Sequence, residues 1–333
     1  MARIFADILR KARDGECLGR DELIRLLALP AEAPESYQIM AEANRVSKEL
    51  AGNRAEIHAQ FALNLGPCPK DCQFCSFAAC HGIFDRATEL TADQAVAQAR
   101  RFESEGANAI FVMTTAAWPL AAALEIAAEL RRQLLPTTRL VANVGDQTAA
   151  GARQLREAGF VGVYHALRLR EGIDSRLSPE ERRRSIRHFQ EAGLQVGTCV
   201  EPIGPEHGNE ELAEMIQFTA SIGPVFSGAA RRIAIPGTSL ARHGMISELR
   251  MAQIVAVTRL GVPRSVTGNC THEPCTLGAA AGANLFWAEA GANPRDTRER
   301  TEEGRGANVA ECRRLFGEAG WPCLEGPSQF FRA

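Results

Sequence analysis

The chain has 333 residues, 45% hydrophobic and 23% charged, with a net charge of −2. That suits one large globular domain or two ordinary ones with ample core. The near-neutral charge offers no bulk attraction to nucleic acid, and no apolar run reaches the ~18 residues a membrane helix needs.

Met1-Ala2-Arg3-Ile4-Phe5 lacks the apolar core and cleavage site of a signal peptide. Ten cysteines in such a chain imply reduced thiols that bind metal rather than disulfides, and a cytoplasmic setting.

In chain order, residues 1–50 read as helices. Ile4, Ile8 and Leu9 recur at helical spacing, a second helix follows Arg20-Asp21-Glu22, and a third runs from the Pro30/Pro34 break to about Leu50. From Ile57 the text alternates strand and helix. Apolar runs begin at Ile57, Asn108, Thr138, Phe160, Leu194 and Ala230, with a weaker one over 263–267 and an eighth over 283–287. Thr91 and Ser178-Pro179 mark helix starts between them.

Eight β/α units predict a closed (β/α)8 TIM-type barrel with an N-terminal helical cap. The expected organisation is a helical extension over 1–50, the barrel over 51–297, and a C-terminal helix and tail over 298–333 packing on it. A dinucleotide-binding sheet would need G-x-G-x-x-G after the first strand. That place holds Cys68, Cys72 and Cys75 instead, spaced C-x3-C-x2-C.

Three thiolates on one short loop suit an iron–sulfur cluster with one iron left open. Structural zinc normally takes four closed ligands, so Cys80, His81 or a distant residue would have to complete it. A thioredoxin-like pair would not explain Cys68.

A second group is Cys270 and Cys275, with His272 and Glu273 between them. Cys199, at the end of the fifth strand, is expected at the same barrel mouth. These three cysteines are candidate ligands of a second iron–sulfur cluster, with His272 or Glu273 available to its remaining iron. The bland alternative is small buried thiols. Cys17, Cys80, Cys312 and Cys323, and His58, His165, His207 and His243, read as structural.

The cysteine loop, with Phe74 in the aromatic place before Cys75, resembles the signature of the radical S-adenosylmethionine (SAM) enzymes. That resemblance implies a 4Fe–4S cluster whose open iron chelates SAM, and a low-potential electron donor such as flavodoxin or ferredoxin. It further implies that Phe74 lies near the adenine and that backbone groups of Thr114 and Thr115 hold the methionyl amine. By position and charge, Arg168 is assigned to the SAM carboxylate, Glu201 to the ribose or amine, and Ile235 to packing on adenine.

Within the superfamily the chain resembles the biotin synthase group. Val112–Trp118, Cys199–Glu206, Ile235–Leu240 and Ala281–Asn284 carry that resemblance. Oxygen-tolerant members hold an auxiliary 2Fe–2S cluster with three cysteines and an arginine. Here Val112 and Val141-Ala142 replace two of those cysteines, and Asn269-Cys270 replaces the arginine. Cys199 with Cys270 and Cys275 instead looks like the anaerobe-type (type II) branch, with a four-iron auxiliary cluster as sulfur donor.

The implied reaction is sulfur insertion into dethiobiotin, a sulfurtransferase chemistry using two SAM molecules. A homodimer would fit the resemblance. His165-Ala166-Leu167-Arg168 stands where the family's substrate-binding asparagine and aspartate would be, which leaves other readings open. One is a hydrogenase-maturase-like or methylornithine-synthase-like rearrangement or fragmentation without sulfur insertion. Another is sulfur insertion into a different substrate. The last is a non-catalytic iron–sulfur carrier.

Overall fold

The computed structural model describes residues 2–332. Eight parallel strands are β1 (Glu56–Ala62), β2 (Ala109–Met113), β3 (Arg139–Asn143), β4 (Gly162–Tyr164), β5 (Gln195–Gly197), β6 (Phe226–Arg231), β7 (Gly268–Cys270) and β8 (Leu285–Ala290). They pair in the order β7-β8-β1-β2-β3-β4-β5-β6, and β6 pairs back onto β7 to close the ring. The result is the (β/α)8 barrel that the strand–helix alternation predicts. Strands covered on both faces need no polar side, which is why β2 is apolar at every position.

Two strands lie off the predicted runs. The sixth is Phe226–Arg231 rather than 230–235, and the seventh is Gly268–Cys270 rather than 263–267. Both are built from small or polar residues that an apolar-run search passes over. At Gly228 (φ +140°) a side chain would meet the Cys270 carbonyl at 2.1 Å, so close β6–β7 pairing requires glycine there. Asn269 Nδ2 of β7 donates to the Gly282 carbonyl at 3.0 Å. Pro263 opens a turn instead, closed by Val266 N–H to the Pro263 carbonyl at 3.0 Å.

Seven helices of eight or more residues follow the strands: α4 (Ala92–Ser104), α5 (Leu120–Gln133), α6 (Ala149–Glu157), α7 (Pro179–Glu191), α8 (Asn209–Ser221), α9 (Glu248–Gly261) and α11 (Val309–Glu318); the short α10 (Thr276–Ala280) lies between β7 and β8. Their starts are written locally. Thr91 and Gln94 form a reciprocal cap on α4, and the Ser178 hydroxyl accepts from Glu181 N–H at 3.2 Å on α7. Helices α1 (Ala2–Arg13), α2 (Arg20–Leu27) and α3 (Pro34–Leu50) precede the barrel and pack against α8 and α9. The fully buried Gln253 of α9 joins them, donating to the carbonyls of Leu26 and Leu29. Among the described residues no helix is long and apolar enough to cross a membrane.

The barrel lumen is filled by His58, Phe111, Tyr164, Phe226 and Trp287, with Phe111 edge-on to Trp287 at 4.4 Å between centroids. The C-terminal tail closes the opposite end from the cysteine loop. Gln329 N–H and Phe330 N–H donate to buried Glu56 at 2.8 and 3.2 Å, and Ser328 Oγ donates to its other oxygen. Phe330 and Phe331 then insert under the lumen rings. A side chain at Gly162 would come within 2.4 Å of the Phe331 ring and of the Gln195 carbonyl, so β4 needs glycine there.

Candidate active site

The loop after β1 is pinned by its own backbone. Cys68 N–H donates to the Phe77 carbonyl at 2.7 Å, and Cys75 N–H to that of Cys72 at 3.0 Å. Three other barrel loops clamp it from outside. Gln73 N–H reaches the Asp174 carbonyl at 2.8 Å, Leu240 N–H that of Gln73 at 3.1 Å, and Ser76 N–H that of Pro294 at 3.0 Å.

Cys68, Cys72 and Cys75 all line one open cavity at the mouth of the barrel. Phe74, Thr114, Thr115, Arg168, Glu201 and Ile235 line the same space, so every residue assigned to SAM faces it. Burial pushes the Cys72 thiol up to about 11 and that of Cys75 to about 12. Both thiols are therefore protonated without a metal, and ligation must release those protons. The Arg168 guanidinium favours ionisation of both. Three cysteines on a clamped loop are a donor set that fits a cluster with one iron left for SAM.

Thr115 is set by Asn64, which accepts from its N–H and donates to its hydroxyl, both at 2.9 Å. Arg168 pairs with Glu201 at 3.3 Å and lies 5.9 Å over the Phe74 ring. The SAM-assigned pair thus already neutralise each other.

The second group divides. Cys199 and Cys270 lie fully buried with sulfurs 3.3 Å apart, below the cavity floor. His272 joins them, the three ligand atoms lying within 4.8 Å of one another. Burial drives the Cys199 thiol up. For Cys270 the opposing burial is outweighed by hydrogen bonds from Cys199 and His272, which bring it down. So compact a set matches the ~3.8 Å sulfur spacing around one tetrahedral ion with ~2.3 Å bonds. A four-iron cluster needs the thiolates spread wider.

Cys275 is not in this group. It caps α10, where its sulfur accepts from Gly278 N–H at 3.3 Å. Glu273 is held by Arg231.

Sequence reasoning passed over several cavity residues. Tyr164 OH meets His272 Nε2 at 3.2 Å, and His272 Nδ1 lies 3.4 Å from Glu201, linking the two cysteine groups. Arg182 of α7 donates to His165 Nε2 at 2.8 Å, and His165 contacts Asp146 at 2.9 Å. Burial and the Arg182 charge bring the His165 pKa down to about 3. The signal for Arg182 was present as helical spacing with Ser185, Ile186 and Phe189, the buried face of α7. Arg295, beyond β8, carried no such signal.

Comparison with known proteins agrees with this geometry. The family model of the radical SAM superfamily matches residues 67–219, from the cysteine loop into α8. That family implies a 4Fe–4S cluster and SAM. The chain is similar to curated relatives that are biotin synthases. It is 29% identical to the biotin synthase of Desulforudis audaxviator over 84% of this chain and 88% of the relative. The Corynebacterium urealyticum enzyme is 27% identical, with 85% of each chain covered.

Solved structures share the fold. Methylornithine synthase (PylB) superposes with a TM-score of 0.80 at 17% identity, covering 96% of this chain and 97% of that one. The FeFe-hydrogenase maturase HydG from Carboxydothermus hydrogenoformans gives 0.76 at 19%, covering 95% and 78%.

Proposed function

We propose that this radical SAM enzyme inserts sulfur into dethiobiotin to form biotin, with a second iron–sulfur cluster as sulfur donor. The observation that carries this reading is a second buried thiol pair, Cys199 and Cys270, beside the cavity that the three-cysteine loop lines; holding a four-iron cluster requires their sulfurs to separate from the 3.3 Å seen here. When bound, the cluster and SAM supply a 5′-deoxyadenosyl radical that removes hydrogen from an unactivated carbon, and the second cluster supplies sulfide.

The chain's own residues do the rest. Cys68, Cys72 and Cys75 hold the first cluster. Backbone groups of Thr114 and Thr115, set by Asn64, receive the methionyl amine. Arg168 takes the SAM carboxylate and Glu201 the ribose, while Phe74 and Ile235 enclose the adenine. Cys199 and Cys270 hold the second cluster. Cys275, on the same loop as Cys270, and His272, which faces the sulfur pair, are the candidates for the third ligand. A low-potential carrier such as flavodoxin or ferredoxin supplies the electron.

The test is iron and acid-labile sulfide per chain after anaerobic reconstitution, with biotin measured from dethiobiotin. About eight irons falling to about four in Cys199→Ala/Cys270→Ala, with biotin lost, is the expected result. Four irons in both proteins would remove the sulfur donor. Comparing Cys275→Ala with His272→Ala identifies the third ligand.

A second reading, radical rearrangement without sulfur insertion, is favoured by one observation: Cys275 lies apart from the Cys199–Cys270–His272 set. Steady formation of 5′-deoxyadenosine without biotin would support it. A non-catalytic carrier would form neither.

A further inference from the structure

Beyond β8 the chain turns through Asn293 and Pro294 to Arg295, and all three line the cavity. Arg295 is held by Glu289, the penultimate residue of β8, itself 2% exposed. Glu289 is crowded. Arg305 Nη2 donates to one oxygen at 2.6 Å, while Gln60 Nε2 donates to the other at 2.6 Å alongside Arg295 Nη2. Two guanidiniums therefore share one carboxylate. The nearby acids are committed elsewhere, Glu201 to Arg168 and Glu273 to Arg231.

Arg295 Nη1 is buried and finds no hydrogen-bond partner in the protein. Buried donors are nearly always paired. A buried guanidinium N–H left over on a cavity-lining arginine is matched to an anionic acceptor.

We propose that Arg295 is a binding residue for a carboxylate on the small-molecule substrate, with Nη1 donating to a carboxylate oxygen and Glu289 holding the guanidinium in place. SAM also carries a carboxylate, so the source must be decided. Arg168 lies over the Phe74 ring of the cysteine loop and pairs with Glu201, whereas Arg295 is anchored to the end of β8 by Glu289. Arg168 thus serves the SAM side and Arg295 the substrate side. The proposal deepens the sulfur-insertion reading, in which the acid is dethiobiotin, but needs from it only that the substrate is a carboxylate.

The experiment is calorimetric titration of reconstituted, SAM-loaded protein with dethiobiotin and its methyl ester, and with hexanoate and hexanol. Losing a charge-assisted hydrogen bond in Arg295→Gln is expected to weaken both acids about 10- to 100-fold. Iron content, SAM affinity and the neutral ligands should not change. Arg305 and Gln60 remain on Glu289 in that variant, and Arg295→Lys should recover part of the loss.

If both acids bind Arg295→Gln as they bind wild type, the proposal is overturned, and sulfur insertion stands if biotin is still made. Should dethiobiotin fail to bind wild type while hexanoate binding still needs Arg295, sulfur insertion falls and the carboxylate site remains. A loss of SAM affinity in place of acid affinity overturns the assignment to substrate. Equal affinity of wild type for each acid and its neutral counterpart overturns it too, without any variant.

Discussion

Phe331→Ala should release the C-terminal tail from the barrel before the barrel itself unfolds. Phe331 is fully buried, with ring centroids 5.7 Å from Phe111 and 5.9 Å from both Phe226 and His58. Truncating such a ring costs about 3–5 kcal/mol. Docking the tail gains about 3–6 kcal/mol from burying Phe330 and Phe331, and about 4–9 from three hydrogen bonds to a carboxylate. Ordering the five residues 328–332 costs about 5–10 kcal/mol. The surplus is a few kcal/mol, about what the substitution removes.

Limited proteolysis with intact-mass readout should show the tail cleaved faster. Fluorescence of the buried Trp287 should shift as water enters the lumen. The urea-derived unfolding free energy should fall by less than the full ~3–5 kcal/mol, because the free tail caps the loss. Gly162→Ala should release the tail by the opposite route, since its methyl occupies the space of the Phe331 ring. Combining the two should show coupling of about 0.5–3 kcal/mol. Wild-type proteolysis and urea midpoint in Phe331→Ala would refute the reasoning.

Cys72→Ala should abolish SAM cleavage while Cys199 and Cys270 keep their metal, measurable as residual iron with no 5′-deoxyadenosine. His165, with its pKa brought down to about 3, stays neutral in the folded protein. The unfolded state takes up a proton below about 6.5, so this stability is present at neutral pH and lost as pH falls below 6.5. From pH 7 to 5.5 the loss is about 1.3 kcal/mol, and His165→Gln should flatten the urea-derived slope by that amount. Glu289 is held down to about 2, burial being outweighed by Arg295 and Arg305. Its contribution is present above about pH 4.5 and disappears as pH falls toward 2. Glu289→Gln leaves two buried guanidiniums without a counter-charge and should cost about 3–5 kcal/mol in urea denaturation.

The sequence alone determined whatever near neighbours decide. Cap pairs such as Thr91 with Gln94, apolar runs such as Ala109–Met113, and the thiol spacing Cys68-Cys72-Cys75 are legible because the forces act within a few residues. From them follow the barrel, the face that carries the chemistry and the first cysteine group. The small-residue strands β6 and β7 were misplaced because they are stabilised by close backbone approach rather than by apolar side chains.

Only the tertiary structure decided which distant groups meet. Cys199 and Cys270 are 71 residues apart and are joined by ring closure, through the register that sets Cys270 opposite Gly228. The same closure gives them His272 and leaves Cys275 as a helix cap. It also brings Arg295 and Arg305 onto Glu289, and carries Phe331 back beneath β4. Such contacts depend on strand register and on where a loop returns, and no local pattern of residue types encodes either.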